Sequence, residues 1–299
     1  MDTCLNVCDL LAVSADTEAI ADSIAQLAEA AGCPLPCRVY LGSYFCAGYF
    51  LKLRRTVLAA VLQQCRCVSG VTLVVPVFTQ KDLAAGKRAV TALADALGDR
   101  LDEITVNDIG MLQTVKALCP QLTVNLGRLF FKDPRDVRLS EALARVTIPA
   151  QLTDETFRAW RDDALPAERE NGLVELDPVS AQISVPEGFR GRICLHTPYC
   201  YMSYGHICKF ASLHKPPSKK FRPNAPCNAE CLRIHERFSD PNKPEWGTLL
   251  KIGRALYFEQ PDAVLTDATP QRLIYFPFRE WIMLKEGNNK SDENINAVK

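Results

Sequence analysis

The densest group of reactive side chains in the chain lies between residues 196 and 235. All four histidines, His196, His206, His214 and His235, fall there, together with Cys200, Cys208, Cys227 and Cys231. Three of these thiols follow the spacing Cys208-x18-Cys227-x3-Cys231 in a stretch rich in Lys, Tyr and Pro. Thiolates at this density suit zinc or an iron–sulfur cluster, because both favour soft sulfur ligands. Three residues compete to be the fourth ligand. His235, four residues beyond Cys231, would complete a Cys3His zinc site. Cys200 stands eight residues before Cys208, and Cys46 stands far off, just past the apolar run ending at Gly42.

The chain holds thirteen cysteines in all. The odd count, with no basic and apolar leader at Met1-Asp2-Thr3-Cys4, does not describe a disulfide framework. Free Cys is often a small buried hydrophobe, and Cys65, Cys67, Cys119 and Cys194 read that way. Cys33-x3-Cys37 precedes a strand and reads as structural.

Other side chains have weaker claims. His196 ends an apolar run, where it would bind substrate or donate a proton, or equally satisfy a buried polar group. Arg128, at another run's end, would suit a carboxylate through its paired donors; Asn107 occupies a similar place. Lys209, Lys215, Lys219, Lys220 and Arg222 make residues 209 to 226 locally basic. That stretch is either a solvated loop or a clamp for an anionic small molecule, RNA or a partner subunit.

The elements that must position these groups alternate between strand and helix. Strands are predicted at Leu10–Val13, Arg38–Gly42, Val71–Phe78, Glu103–Val106 and Leu122–Leu126. Between them the apolar spacing predicts helices over Thr17–Ala31, Phe50–Gln64, Gln80–Leu97 and Met111–Leu118. Val71–Phe78 is almost wholly apolar, as a strand covered on both faces should be. Further on, helices are predicted at Ser140–Arg145 and Asp154–Asp162, and strands at Gly172–Leu176 and Arg192–His196. A loop is predicted through about Pro226, after which Leu249–Gln260 and Arg272–Phe278 would finish the fold.

Regular β–α alternation implies parallel strands with right-handed crossovers. The expected fold is a (β/α)8 TIM-like barrel over residues 1–285, carrying a Cys/His-rich insert at 196–235 and a frayed tail at 286–299. An open doubly wound sheet is the rival, but no glycine-rich phosphate motif follows the first strand. In a parallel barrel the loops after all strands emerge at one rim, where active sites sit. Cys46 can therefore meet the 208–231 segment despite the sequence gap.

Composition sets the outer bounds. Of 299 residues, 47% are hydrophobic and 23% charged, with 35 basic against 35 acidic side chains. Zero net charge argues against long-range attraction to nucleic acid or anionic lipid. No apolar run approaches the roughly 20 residues needed to cross a bilayer, so a cytoplasmic protein is expected.

Several motifs resemble the collagenase-like peptidase family (U thirty-two), and most closely its UbiV-type iron–sulfur members. Val39-Tyr40-Leu41-Gly42-Ser43-Tyr44-Phe45-Cys46 resembles the Y-L-G-x-x-x-C segment of that type. Val106-Asn107-Asp108-Ile109-Gly110-Met111-Leu112 resembles the family's N-D-x-G-x-L, and Leu122 to Arg128 the strand that follows it. His196-Thr197-Pro198-Tyr199-Cys200 and Ser203-Tyr204-Gly205-His206-Ile207-Cys208 are similar to H-G-x-x-C…S-G-x-C, with one extra residue on each side of Gly205. Cys227-x3-Cys231 is similar to the closing C-x3-C. The resemblance implies a [4Fe–4S] cluster on Cys46, Cys208, Cys227 and Cys231, with Cys200 as the reserve ligand. It further implies oxygen-independent hydroxylation of a quinone precursor in ubiquinone biosynthesis or of an RNA base, under anaerobic conditions. Prephenate is the implied oxygen donor and a UbiU-like protein the implied hetero-oligomeric partner. The chain departs from the type in having Cys200, a longer insert at Lys209–Pro226, and Ala47-Gly48-Tyr49 where basic residues are usual.

Two other readings remain. The metal, zinc included, would only tie the loop to the barrel in a non-catalytic binding module. A peptidase would need a nucleophile such as Cys200 beside His196, yet no G-x-S-x-G or H-E-x-x-H is present.

Overall fold

Eight parallel strands close into a barrel in this computed structural model. It describes residues 2–11, 17–55, 58, 59, 62, 65–130, 172–177, 192–239, 241, 242, 244, 247–259 and 270–285. The barrel strands are β1 (Asp2–Asn6), β2 (Cys37–Gly42), β3 (Val68–Val75), β4 (Leu101–Val106), β5 (Thr123–Leu126), β6 (Leu173–Leu176), β7 (Arg192–Thr197) and β12 (Arg272–Tyr275). Around the ring they run β1-β12-β7-β6-β5-β4-β3-β2. A second, antiparallel sheet has the order β8-β11-β10-β9, formed by β8 (Tyr199–Tyr204), β9 (Glu236–Phe238), β10 (Leu249–Ile252) and β11 (Ala255–Glu259).

Helices α1 (Thr17–Ala30), α2 (Ala47–Phe50), α3 (Leu83–Leu97) and α4 (Ile109–Leu118) lie between barrel strands, and α5 spans residues 278 to 285. Amphipathic spacing places them. α3 buries Val90, Leu93 and Leu97 along one stripe, each such side chain contributing about 1.5–3 kcal/mol. α4 begins where the Asp108 carboxylate accepts from Met111 N at 2.8 Å, capping the first turn. Leu5, Val39, Leu73, Ile104 and Ile274 of the barrel strands are fully enclosed.

The (β/α)8 architecture is as expected, while several elements differ. The first strand is Asp2–Asn6, with Leu10 and Leu11 in the loop after it and Ala12 and Val13 outside the described residues. Asp9, at a left-handed φ of 62°, turns the chain there and keeps a strand from running through. Leu249–Gln260 does not close the barrel. Gly253, at φ 52°, folds β10 back on β11 as an antiparallel hairpin, whereas a parallel neighbour needs a crossover. The predicted loop after His196 contains β8, which pairs with β11.

The helix expected over Phe50–Gln64 stops at Phe50, and helical residues resume at 55. Cys65 and Cys67 are joined by a disulfide rather than standing as separate core thiols. Cys37 starts β2 and so lies at the opposite end of that strand from the loop holding Cys46. The helices predicted at Ser140–Arg145 and Asp154–Asp162 and the tail 286–299 lie outside the described residues. No helix among the described residues is long and apolar enough to cross a membrane.

Candidate metal centre and barrel mouth

Two loops at the C-terminal rim are tied to each other before any cysteine is considered. After β1, the Asp9 carboxylate accepts from Ser43 Oγ at 2.9 Å. Ser43, just after β2, in turn accepts from the backbone amides of Cys46 at 2.8 Å and Phe45 at 3.3 Å. Burial pushes the Asp9 carboxyl up to about 7, against the opposing pull of Ser43 and Arg254. Gly42 sets up this approach. Its φ is 124°, and a Cβ there would lie 2.2 Å from the Val74 carbonyl oxygen, so only glycine fits.

Cys46 caps the short helix α2, its sulfur accepting from Tyr49 N at 3.4 Å. Around it pack Tyr49, Ala229 and Leu232, the last two from the loop that carries Cys231. Burial pushes the Cys46 thiol up to about 12, and Cys227 is one of the charges acting on it. The Cys231 thiol is likewise raised by burial, with Asp9, Cys46, Cys208 and Cys227 all pushing the same way. Contacts tie three of the predicted ligands: Cys46 packs on Ala229 and Leu232, which flank Cys231. The hairpin turn at Gly253 joins two of them: Cys208 donates to its carbonyl oxygen at 3.6 Å, and a Cβ on it would stand 3.7 Å from Cys231 Sγ.

The other candidates sit elsewhere. Cys200 lies within β8, fully buried, its thiol toward the Tyr201 carbonyl at 3.7 Å. His235 stacks edge-on against Phe278 and Trp281, while His206 and His214 are exposed. Among the described residues no group of three or more His, Cys, Asp or Glu side chains is assembled to hold a metal ion. The donor set itself fits a thiophilic group: four thiols from two loops, after β2 and between β8 and β9, with thiolates that a bound metal would stabilise by displacing protons.

Backbone strain gathers at the same place. The non-glycine residues with left-handed φ among those described are Asp9, Phe221, Asn224 and Ala229. All four lie in the two loop regions that carry or brace the thiols. Such conformations cost about 1–3 kcal/mol each and persist where surrounding structure over-determines them.

Beneath the rim, the barrel interior is polar. Glu175 on β6 is fully buried and accepts from the Tyr44 hydroxyl at 2.8 Å and the Thr105 hydroxyl at 2.6 Å. His196 Nε2 stands 3.2 Å from the same carboxylate. Burial lifts Glu175 to about 7, although Thr105, Tyr44, Arg128 and Arg272 all favour its charged form. Above this pair the Arg128 guanidinium makes a bidentate ion pair with Asp177 and donates to the Tyr199 carbonyl at 3.2 Å. The rings of Tyr44, Phe45, Tyr201 and Tyr257 surround Arg128 with centroids 5.3–5.9 Å from its Cζ. Tyr201 and Tyr257 come from the antiparallel sheet, which therefore caps the barrel mouth. Below, Arg272 makes a bidentate bond to Glu103 at 2.7 and 3.0 Å and donates to Tyr40 at 2.9 Å.

His196 and Arg128, both predicted to touch substrate, are thus sealed and engaged with Glu175 and Asp177, at 1% and 2% exposure. Asn107 is buried as well, donating to the Val75 carbonyl at 3.0 Å. Sequence reasoning missed Glu175, Asp177, Glu103 and Asp9. A signal for the first three was present: Glu103-x-Thr105 and Glu175-x-Asp177 put polar groups two apart on strands, hence on one face.

Comparison with protein-family models, with curated proteins and with solved structures finds no match to this chain.

Proposed function

We propose that this protein holds a [4Fe–4S] cluster on Cys46, Cys208, Cys227 and Cys231 and works as an enzyme, or enzyme subunit, of oxygen-independent hydroxylation. The packing of Cys46 on Ala229 and Leu232, and the meeting of Cys208 and Cys231 at Gly253, bring thiols more than 150 residues apart in sequence to one rim and carry this reading. Strained loop backbone beside the thiols and the chemistry of an all-sulfur donor set support it further. The resemblance to UbiV-type members of the collagenase-like peptidase family supplies the reaction class. A quinone precursor or an RNA base would be the acceptor, prephenate the oxygen donor, a UbiU-like subunit the partner, and the cytoplasm the compartment.

The cluster would supply electron transfer or activation of the oxygen donor. The chain's own residues have separate work. Glu175 Oε2 stands 3.2 Å from His196 Nε2 and accepts from the Tyr44 hydroxyl, so a proton at that oxygen has an imidazole beside it. Arg128 and the rings over it keep bulk water out of that pair. Ser43 fixes the Cys46 loop through two amide bonds.

Anaerobic purification with absorption spectroscopy and iron and sulfide analysis tests the proposal. A brown protein with about four irons and four sulfides per chain is expected, and Cys46→Ser should lose most of both. A colourless protein with one zinc would overturn the cluster and favour the metal-stabilised binding module. Full turnover by Cys227→Ala would remove the cluster from the reaction.

A further inference from the structure

A separate cavity of about 550 Å³ opens between the antiparallel sheet and α5. Its volume lies within the range usual for small-molecule sites. None of the four clustered cysteines lines it. Leu250, Phe278, Ile282 and Met283 give the cavity apolar lining, and Arg237, Arg279, Glu259 and Glu280 give it charge. Tyr199 lines the cavity together with these four charges.

Two of the charges satisfy each other, Arg279 Nη2 lying 2.6 Å from Glu259 Oε1. The other two do not. Arg237 makes no side-chain hydrogen bond or ion pair among the described residues. Glu280 accepts from the Tyr275 hydroxyl at 2.9 Å through Oε1, while its Oε2 is shielded from solvent with no partner among the described residues. A shielded carboxylate oxygen without a donor is costly to leave so. The cavity therefore offers one guanidinium to an anion and one carboxylate oxygen to a donor, beside an aromatic wall. Phe278 meets Tyr199 edge-on with centroids 6.1 Å apart and stacks on Phe276 at 6.2 Å. A further ring would extend this row with the same geometry.

We infer that this cavity binds a small zwitterion with an aromatic body, of the aromatic α-amino acid class. The carboxylate pairs with Arg237, the ammonium donates to Glu280, and the ring lies against Phe278 and Ile282. Arg279 and Glu259, already paired with each other, take no part in the contact.

Isothermal titration of the full chain with L-phenylalanine, 3-phenylpropionate and phenethylamine tests this. L-phenylalanine should bind, and each analogue lacking one charge should bind about tenfold more weakly or worse. Arg237→Gln and Glu280→Gln should each cost at least about the same factor. Met283→Trp, at an exposed rim position, should block binding without touching the charges, and covers the case in which a charge variant does not fold. Cys46→Ser should bind L-phenylalanine like the wild type, which separates this site from the thiols. No heat with L-phenylalanine up to its solubility limit would overturn the inference. So would equal affinity for 3-phenylpropionate, or unchanged binding by a folded Arg237→Gln or Met283→Trp.

Discussion

Glu175 Oε2 lies 3.2 Å from His196 Nε2, with both side chains sealed inside the barrel. The titration of Glu175 shapes how stability responds to pH. Burial holds the Glu175 carboxyl at about 7, above its ordinary 4.5. Between those values the folded state binds more protons than the unfolded one, so stability falls as pH rises. The contribution is whole below about 4.5 and is lost by about 7, a change of up to about 3 kcal/mol. Glu175→Gln cannot titrate, and its melting temperature should fall less steeply with pH than the wild type's, keeping only the share due to Asp9, whose carboxyl burial raises in the same way. Parallel pH profiles for the two proteins would refute the assignment.

The ion pair one layer below behaves the opposite way. Burial alone would raise Glu103, but the bidentate bond to Arg272, with Arg38 and Thr72, holds it down to about 2. Its contribution is present above the ordinary carboxylate range and is lost as pH falls through the folded value. Glu103→Ala should destabilise the protein by about 3–5 kcal/mol, because Arg272 is left buried and uncompensated. Urea unfolding of Glu103→Ala, Arg272→Met and the double variant should give costs that are far from additive.

Gly42 tests whether the rim loops are held by sterics. Its φ of 124° and the 2.2 Å approach of a Cβ to the Val74 oxygen leave no room for alanine. Gly42→Ala should cost more than about 2 kcal/mol in chemical unfolding. It should also lower the iron content after reconstitution, since Ser43 and Cys46 follow directly. A variant as stable as wild type would mean that β2 can end differently.

Cys200 separates the proposed ligand set from its nearest rival. Its thiol faces the Tyr201 carbonyl inside β8. Cys200→Ser should therefore retain the iron, sulfide and absorption band of the wild type, with a modest loss of stability from the buried hydroxyl. Loss of the band in this variant alone would exchange Cys200 for Cys46.

Much of the barrel was legible in the chain because buried parallel strands read as apolar runs. Leu73 to Val75 and Ile104 to Val106 announce themselves in that way. β1 was not legible, since Leu10-Leu11 outweighs Cys4-Leu5 in apolarity and nothing local shows that Asp9 turns the backbone. The hairpin of β10 and β11 turns on a single glycine, Gly253, easily taken for a break within one long strand. Convergence of Cys46 with the 208–231 segment was legible only through the rule that loops after parallel strands share a rim. The interior charges were missed for an instructive reason. Barrels are commonly filled by branched apolar side chains, so nothing in the pattern marked Glu103 and Glu175 as interior residues, yet Glu103 binds Arg272 and Glu175 stands beside His196 on the neighbouring strand.

Strand β1 has two neighbours, β2 and β12, and the second begins 266 positions after β1 ends. During synthesis β1 must wait, one edge bare, until β12 has left the ribosome. Folding of the ring is thus a late event by construction, and any pause upstream of residue 272 prolongs the life of an exposed β edge. Production of this protein should depend on elongation speed and on chaperones that shield such edges, more than its final stability would lead one to expect.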